Sequence, residues 1–296
     1  MERIVTYTIT EMNNHKPIDL FLKSMGYSSQ NIIALKKMPE SILVNGTWEH
    51  VNFKLHTNDV LTIHVKETLS SLNIVPISLP LNIVYEDADI LVINKTAHMP
   101  IHPSQNNYDN TLANAVMYYF NNQNIPYTFR CINRLDRDTT GLTILAKHMI
   151  SAGILSAMVQ KREIRREYLA IVEGIPNPSS GVIDAPIGRM PGSTIERFVD
   201  LANGEHAVTH YEVQSSTCDS SLSLVSLWLE TGRTHQIRVH MKHIGHPLIG
   251  DFLYNPNMKF INRQALHSHR LSFMHPITKR FMEFTAPLPD DMLLFK

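Results

Sequence analysis

Residues Ser70 to Pro80 read SSLNIVPISLP, a charge-free stretch with two prolines and several serines. A segment of that kind has neither helical nor strand periodicity and reads as an extended linker. It divides the chain into a small unit at 1–68, a linker at 69–80 and a large unit at 81–296. The length of 296 residues and the 43% hydrophobic content suit one large cored domain plus a small one, at about 100–200 residues per domain.

In the small unit, Ile4 to Thr10 is strand-like, and Ile18-Asp19-Leu20-Phe21-Leu22 places apolar residues at helical spacing. A second helix is expected from Ser28 or Ser29, a hydroxyl suited to an N-cap, through Leu35. Asn45-Gly46 stands between two β-prone runs, a strong hairpin signal, and Asn58-Asp59 turns the chain into a last strand, Val60 to Val65. Two short helices, a Val-Asn-Gly turn and a closing Asp-Val-Leu-Thr-Ile strand make this unit resemble the S4 module, a small RNA-binding domain. Of the basic helical face such modules carry, only Lys23, Lys36 and Lys37 remain, offset by seven acidic residues across the unit.

From Leu81 onward short β-prone runs dominate: Ile90 to Asn94, Thr143 to Ala146, Tyr168 to Val172, Leu222 to Leu229 and Phe281 to Thr285. Helices are expected at Thr111 to Phe120, Ile150 to Lys161 and Thr234 to His243. The predicted fold class is α+β with a mostly antiparallel sheet. No repeat or low-complexity block interrupts it.

Lys and Arg balance Asp and Glu at 27 each, so nucleic acid would have to be held by local basic patches rather than bulk charge. Cys131 and Cys218 form no CxxC pair, which argues against a disulfide framework and a zinc knuckle. The sixteen histidines include no HExxH-like register, and no metal is expected. No run approaches the roughly 18 apolar residues of a membrane span, and MERIVTYTIT lacks the features of a signal peptide. A cytoplasmic, soluble monomer with no membrane partner is the expectation.

Three segments concentrate chemistry. In Asn133-Arg134-Leu135-Asp136-Arg137-Asp138-Thr139-Thr140-Gly141-Leu142, two acids and two bases precede an apolar strand, a costly arrangement unless a site uses it. Asp136 or Asp138 could serve as nucleophile or base, with Arg134 or Arg137 keeping it ionised; an exposed charged turn would have the same spacing. In Thr231-Gly232-Arg233-Thr234-His235-Gln236-Ile237-Arg238-Val239-His240, Arg233 stands at an expected helix start, where free N–H groups favour an anion. Arg238 and Lys242 lie one helical turn apart and could both face a phosphate backbone. The run Lys161 to Tyr168 is basic and ends in an aromatic residue, as an RNA platform does and as a core tyrosine after a helix also does.

In order and spacing these segments resemble the RluA/RluD-type pseudouridine synthases: NRLDRDTTG for the HRLD-x-x-TSG-like motif, Arg166-Glu167-Tyr168 for K-x-Y, then TGRTHQIRVH and GHPLIGDFLY. The likeness runs from residue 81 to about 290, with Asn133 in place of histidine and Arg166 in place of lysine. It implies an isomerase that converts uridines of structured RNA to pseudouridine without a cofactor. Asp136 is then the nucleophile, Arg233 its ion-pair partner, and Tyr168 the residue that stacks on the flipped uracil. Arg134 would enter the space the base leaves, while Arg137, Arg166, Arg238 and Lys242 contact RNA.

The resemblance favours large-subunit ribosomal RNA as substrate, with tRNA second. Two rivals are a non-catalytic RNA-binding ribosome-assembly protein on the same fold, and a glycosidase or nucleosidase using Asp136 and a second acid such as Asp138. Asp251, Tyr254 and His246 read as parts of a structural turn.

Overall fold

The computed structural model describes residues 1–293. The small unit opens with β1 (Glu2–Thr8), followed by α1 (Ile18–Ser24), α2 (Ser29–Lys37), β2 (Ile42–Val44), β3 (Thr47–Trp48) and β4 (Val60–Lys66). Its strands form an antiparallel sheet in the order β1-β4-β2-β3. Ser28 caps α2: its hydroxyl accepts from the Asn31 amide while the Asn31 side chain accepts from the Ser28 N–H. Asn45 and Gly46 take positive φ values of 50° and 84°, which a two-residue hairpin turn requires.

Residues 67–82 carry no helix or strand. They are nevertheless fastened to the larger unit, since the Ile77 N–H donates to the Asn114 carbonyl and Asn114 Nδ2 donates to that of Val75.

The larger unit runs β5 (Ile83–Glu86), β6 (Ile90–Lys95), α3 (Leu112–Asn121), β7 (Thr140–Ala146), α4 (Met149–Gln160) and β8 (Arg165–Glu173). It continues with β9 (Ser180–Asp184), β10 (Ile187–Arg189), β11 (Arg197–Val199), β12 (Val208–Ser216), β13 (Leu222–Leu229), α5 (Gln236–His243), β14 (Leu266–Met274) and β15 (Phe281–Thr285). Among the described residues a nine-stranded sheet follows the order β5-β6-β7-β14-β8-β13-β12-β9, with β15 paired to β14. Every pairing is antiparallel except β7 with β14, so the α+β, mostly antiparallel expectation agrees with the structure.

The parallel seam depends on Gly141. With φ at +105°, a Cβ built there would lie 2.2 Å from the Ser268 carbonyl oxygen, so a side chain would force the two strands apart.

The two units share a core. Val5, Ile32 and Leu35 join Ile90, Ile144, Ile154 and Phe273 in one apolar cluster. Polar contacts reinforce it: Arg3 pairs with Asp89, Arg130 with Glu67, and Asn31 Nδ2 donates to the Met149 carbonyl.

Candidate active site

A cavity of about 480 Å³ opens where the loop before β7, the start of β8 and the loop entering α5 converge. Asp136, Arg134, Arg137, Arg166, Tyr168, Arg233, His235 and Arg238 line it. The order of the ion pairs inside differs from the sequence expectation.

The loop bearing Asp136 is held from both ends. Buried Asn133 donates through Nδ2 to the Leu142 carbonyl and accepts from the Ile144 N–H, so the residue that replaces the family histidine splices the loop to β7. Beyond Asp136, the Arg137 carbonyl accepts from Lys95 Nζ at 2.9 Å and from the Met99 N–H at 3.1 Å. Lys95 is 1% exposed and also donates to the carbonyls of Thr96 and Met99. Burial pulls its ammonium down to about 7, against the opposing pull of Asp138 and Asp136.

Asp136 Oδ2 accepts a 2.8 Å hydrogen bond from an Arg238 terminal nitrogen. The rest of that guanidinium is bidentate on Asp251, at 2.7 and 2.8 Å. Asp251 is wholly buried, and its Oδ1 also accepts from the amides of Leu253 and Tyr254. Gly250 sets this turn: its φ is +67°, and a Cβ there would lie 2.2 Å from the Arg263 carbonyl oxygen. Burial opposes the Arg238 charge, but Asp251 and Asp136 outweigh it and raise its pKa above the usual arginine value. The Tyr254 ring lies beneath the guanidinium, 4.9 Å from ring centroid to carbon.

Two expectations are therefore corrected. Arg233 does not pair with Asp136; it precedes α5 on an exposed loop and binds Glu205 and the His206 carbonyl. Arg238 does not extend toward a phosphate backbone, because the first turn of α5 buries it between two carboxylates. Asp251 belongs to the site as well as to a turn.

The remaining residues take distinct places. Tyr168 on β8 is buried among Leu135, Ala170 and Leu227, and burial raises its hydroxyl above the usual phenol value. Arg166 is buried at the cavity wall with Nε unpartnered. Arg134 is exposed at the mouth. Arg137, also exposed, is bidentate on Asp138, whose other partner is His98; Asp138 is not among the cavity residues, which removes the second acid a nucleosidase would need there. Lys242 lies outside the cavity with its Nζ 5.6 Å from the Tyr254 centroid.

Sequence reasoning missed His235. It sits in the left-handed region at φ 59°, directly before α5, and its Nε2 is 3.8 Å from Asp136 Oδ2.

Away from the cavity, Asp87, Asp89 and His275 bring potential metal-ligand atoms within 4.8 Å of one another. Their atoms are committed to internal hydrogen bonds, Asp89 to Arg3 and His148, and Asp87 to two backbone amides, Tyr85 and His275.

The family profile described as RNA pseudouridylate synthase matches residues 89–243, which include both Asp136 and Arg238. The chain belongs to this family. Among its relatives, the uncharacterized RNA pseudouridine synthase YjbO of Bacillus subtilis is 41% identical over 268 residues, 90% of this chain and 94% of its own. Ribosomal large subunit pseudouridine synthase D of Vibrio cholerae is 42% identical over 230 residues, 73% of this chain and 69% of its own. The human RNA pseudouridylate synthase domain containing 1 shares the fold with a TM-score of 0.59 at 28% identity, covering 70% of this chain and 83% of that one. As a member, this pseudouridine synthase is an isomerase acting on RNA. Among the described residues no helix is long and apolar enough to cross a membrane.

Proposed function

We propose that this enzyme isomerises a uridine of large-subunit ribosomal RNA in the cytoplasm, as a monomer, with Asp136 as nucleophile and Arg238 as the cation paired with it. The observation that carries the site assignment is the 2.8 Å bond from Arg238 to Asp136 inside the cavity, backed by the buried Asp251. The names of several relatives at about 40% identity, each a ribosomal large subunit pseudouridine synthase D, support the choice of RNA.

A uridine must leave the base stack to reach the cavity, at a cost of about a few kcal/mol. Arg134, exposed and lining the cavity, is the residue that occupies the gap in this reading, where a planar cation both stacks and hydrogen-bonds. Tyr168 supplies a ring for the uracil; its raised pKa keeps the hydroxyl protonated and suits it poorly to act as a base. Arg137, Arg166, Arg233 and Lys242 supply positive charge toward the phosphates.

In one route the Asp136 carboxylate forms a bond to C1′ while the C1′–N1 bond breaks and its electron pair leaves on uracil. Uracil then turns, C5 bonds to C1′, the carboxylate departs, and the C5 proton moves to N1. In the other, Asp136 removes the C2′ proton as a C1′=C2′ double bond forms and the C1′–N1 electron pair leaves on uracil; C5 of the turned uracil then bonds to C1′ while C2′ regains its proton from Asp136, and the C5 proton moves to N1. Both conserve atoms and electrons and call for no cofactor.

The decisive experiment is carbodiimide mapping of pseudouridine in ribosomal RNA and tRNA from cells lacking the protein, complemented with wild type or Asp136→Ala. A large-subunit site lost on deletion and restored by wild type alone supports the proposal. A site found in tRNA moves the substrate there. Persistence of every pseudouridine, with no conversion by purified enzyme, overturns it.

A further inference from the structure

His235 is held more tightly than a loop residue needs to be. Its backbone occupies the left-handed region at φ 59°, which costs a residue with a Cβ about 1–2 kcal/mol. Its ring packs edge-on against Tyr254 at 5.7 Å, and Nδ1 lies 2.9 Å from the Tyr254 hydroxyl. Strain of this kind persists where surrounding contacts over-determine the position, and such positions cluster at functional sites.

The same contact fixes the tautomer. The Tyr254 oxygen accepts the Arg197 N–H at 2.8 Å, and burial pushes the phenol up to about 12, so it keeps its own proton. That proton points to His235 Nδ1, the other partner the oxygen has. Nδ1 is therefore an acceptor and Nε2 carries the hydrogen. Burial also lowers the imidazole pKa, against the pull of Asp136, so the ring is a neutral donor.

Nε2–H faces the nucleophile across 3.8 Å. This is too long for a direct hydrogen bond and short enough for one hydroxyl to bridge, accepting from the imidazole and donating to the carboxylate. When Asp136 is placed against C1′, the neighbouring hydroxyl of the substrate is the ribose 2′-OH. The ring oxygen O4′ is a poorer partner, since it loses electron density as C1′ becomes oxocarbenium-like, whereas hydrogen bonds from the 2-OH strengthen in such transition states.

We propose that His235 is a further catalytic residue of this enzyme, donating through Nε2–H to the 2′-oxygen of the flipped uridine so that its hydroxyl proton points at Asp136. His235 thereby reads ribose against deoxyribose and aligns the nucleophile with C1′. The inference rests on Asp136 being the nucleophile.

The test uses the full chain and a ligated transcript carrying the mapped target as uridine or as 2′-deoxyuridine, with single-turnover conversion read by carbodiimide and primer extension. Conversion of the uridine transcript by wild type and not by Asp136→Ala is required first, so a wrong nucleophile assignment shows before any deoxy substrate is used. Wild type is expected to convert the deoxy substrate at least about tenfold more slowly, since both the bond from His235 and the bond to Asp136 are lost. His235→Ala should convert uridine about tenfold more slowly than wild type and distinguish the two sugars by a smaller factor than wild type does, since only the bond to Asp136 remains. His235→Gln, which keeps an N–H donor of similar reach, should restore discrimination, and RNA affinity by filter binding should be unchanged in both variants.

Equal conversion of the two sugars by wild type overturns the proposal without any variant. So does a His235→Ala enzyme that discriminates by the full wild-type factor.

Discussion

Replacing Arg238 with methionine perturbs the centre of the cavity. The side chain is 2% exposed, and its guanidinium gives two hydrogen bonds to Asp251 and one to Asp136. Methionine keeps much of the stem but leaves the buried Asp251 carboxylate with only the amides of Leu253 and Tyr254. Breaking a buried ion pair from one side costs about 3–5 kcal/mol. At about 2–4 °C per kcal/mol for a chain of this size class, Tm by scanning calorimetry should fall by roughly 10 °C. Single-turnover conversion should fall by at least about 100-fold, as when a preorganised electrostatic partner is removed.

Adding Asp251→Leu should restore most of the lost Tm, because replacing both members of a buried pair with apolar residues is often neutral. It should restore no activity, since Asp136 still lacks its partner. Arg233→Ala provides the contrast: its pair with Glu205 is 40% and 70% exposed, and exposed pairs contribute about 0–1 kcal/mol. Its Tm should stay near wild type and its rate within about tenfold. A methionine variant with wild-type Tm and rate, or an enzyme killed at Arg233 and spared at Arg238, would refute the Asp136–Arg238 pairing.

Three further outcomes follow from the same geometry. Lys95 is lowered from 10.5 to about 7, so between those values the unfolded chain holds a proton that the native protein has released. Its contribution to stability is therefore least favourable below 7 and rises with pH through that window, by up to about 1.4 kcal/mol per unit. Urea unfolding from about pH 7 to about pH 10 should show wild type gaining on Lys95→Met, and parallel pH dependences would contradict it. Gly153→Ala should destabilise although alanine favours helices by about 1 kcal/mol: the new Cβ would stand 2.1 Å from Asn31 Oδ1, in an amide tied to Ser28 and Met149. A rise in Tm would show that Asn31 yields freely. Tyr168→Phe should leave KM for RNA unchanged and keep the shape of the kcat profile up to about pH 10, because the buried hydroxyl stays protonated; loss of a titrating limb in the variant would make the phenol a base.

Local signals in the sequence were reliable where one short-range rule decided the outcome. Ser28 caps α2, Asn45-Gly46 makes the hairpin, and β13 spans Leu222–Leu229 as its apolar run suggests. β14, LHSHRLSFM, was not legible as a central strand because its polar residues imitate a surface. Inside the sheet they find partners: Ser268 Oγ donates to the Leu142 carbonyl, and His267 Nδ1 meets Thr140 Oγ1.

The site shows the same division. Motif order picked out Asp136 and Tyr168, but choosing between Arg233 and Arg238 depended on where α5 begins. An expected start at Thr234 made Arg233 the helix-end anion binder; the helix starts at Gln236, whose side chain accepts from the Arg233 N–H and turns that loop outward. Residues Gln236 to Met241 of α5 are all buried, so Arg238 and His240 face inward despite their polarity. His235 carried no signal, since a left-handed residue before a helix is a product of tertiary packing.

The insertion of β14 between β7 and β8 has a consequence for the order in which the protein is made. The nucleophile loop, its lysine clamp and the tyrosine strand all leave the ribosome before residues 266–274, yet their two halves of the sheet are joined only when that late segment zips between them. Until then β7 and β8 each present an open edge, a surface prone to mispairing. A chain terminated before Leu266 would contain every residue named in the chemistry but lack the strand that joins the two halves of the sheet.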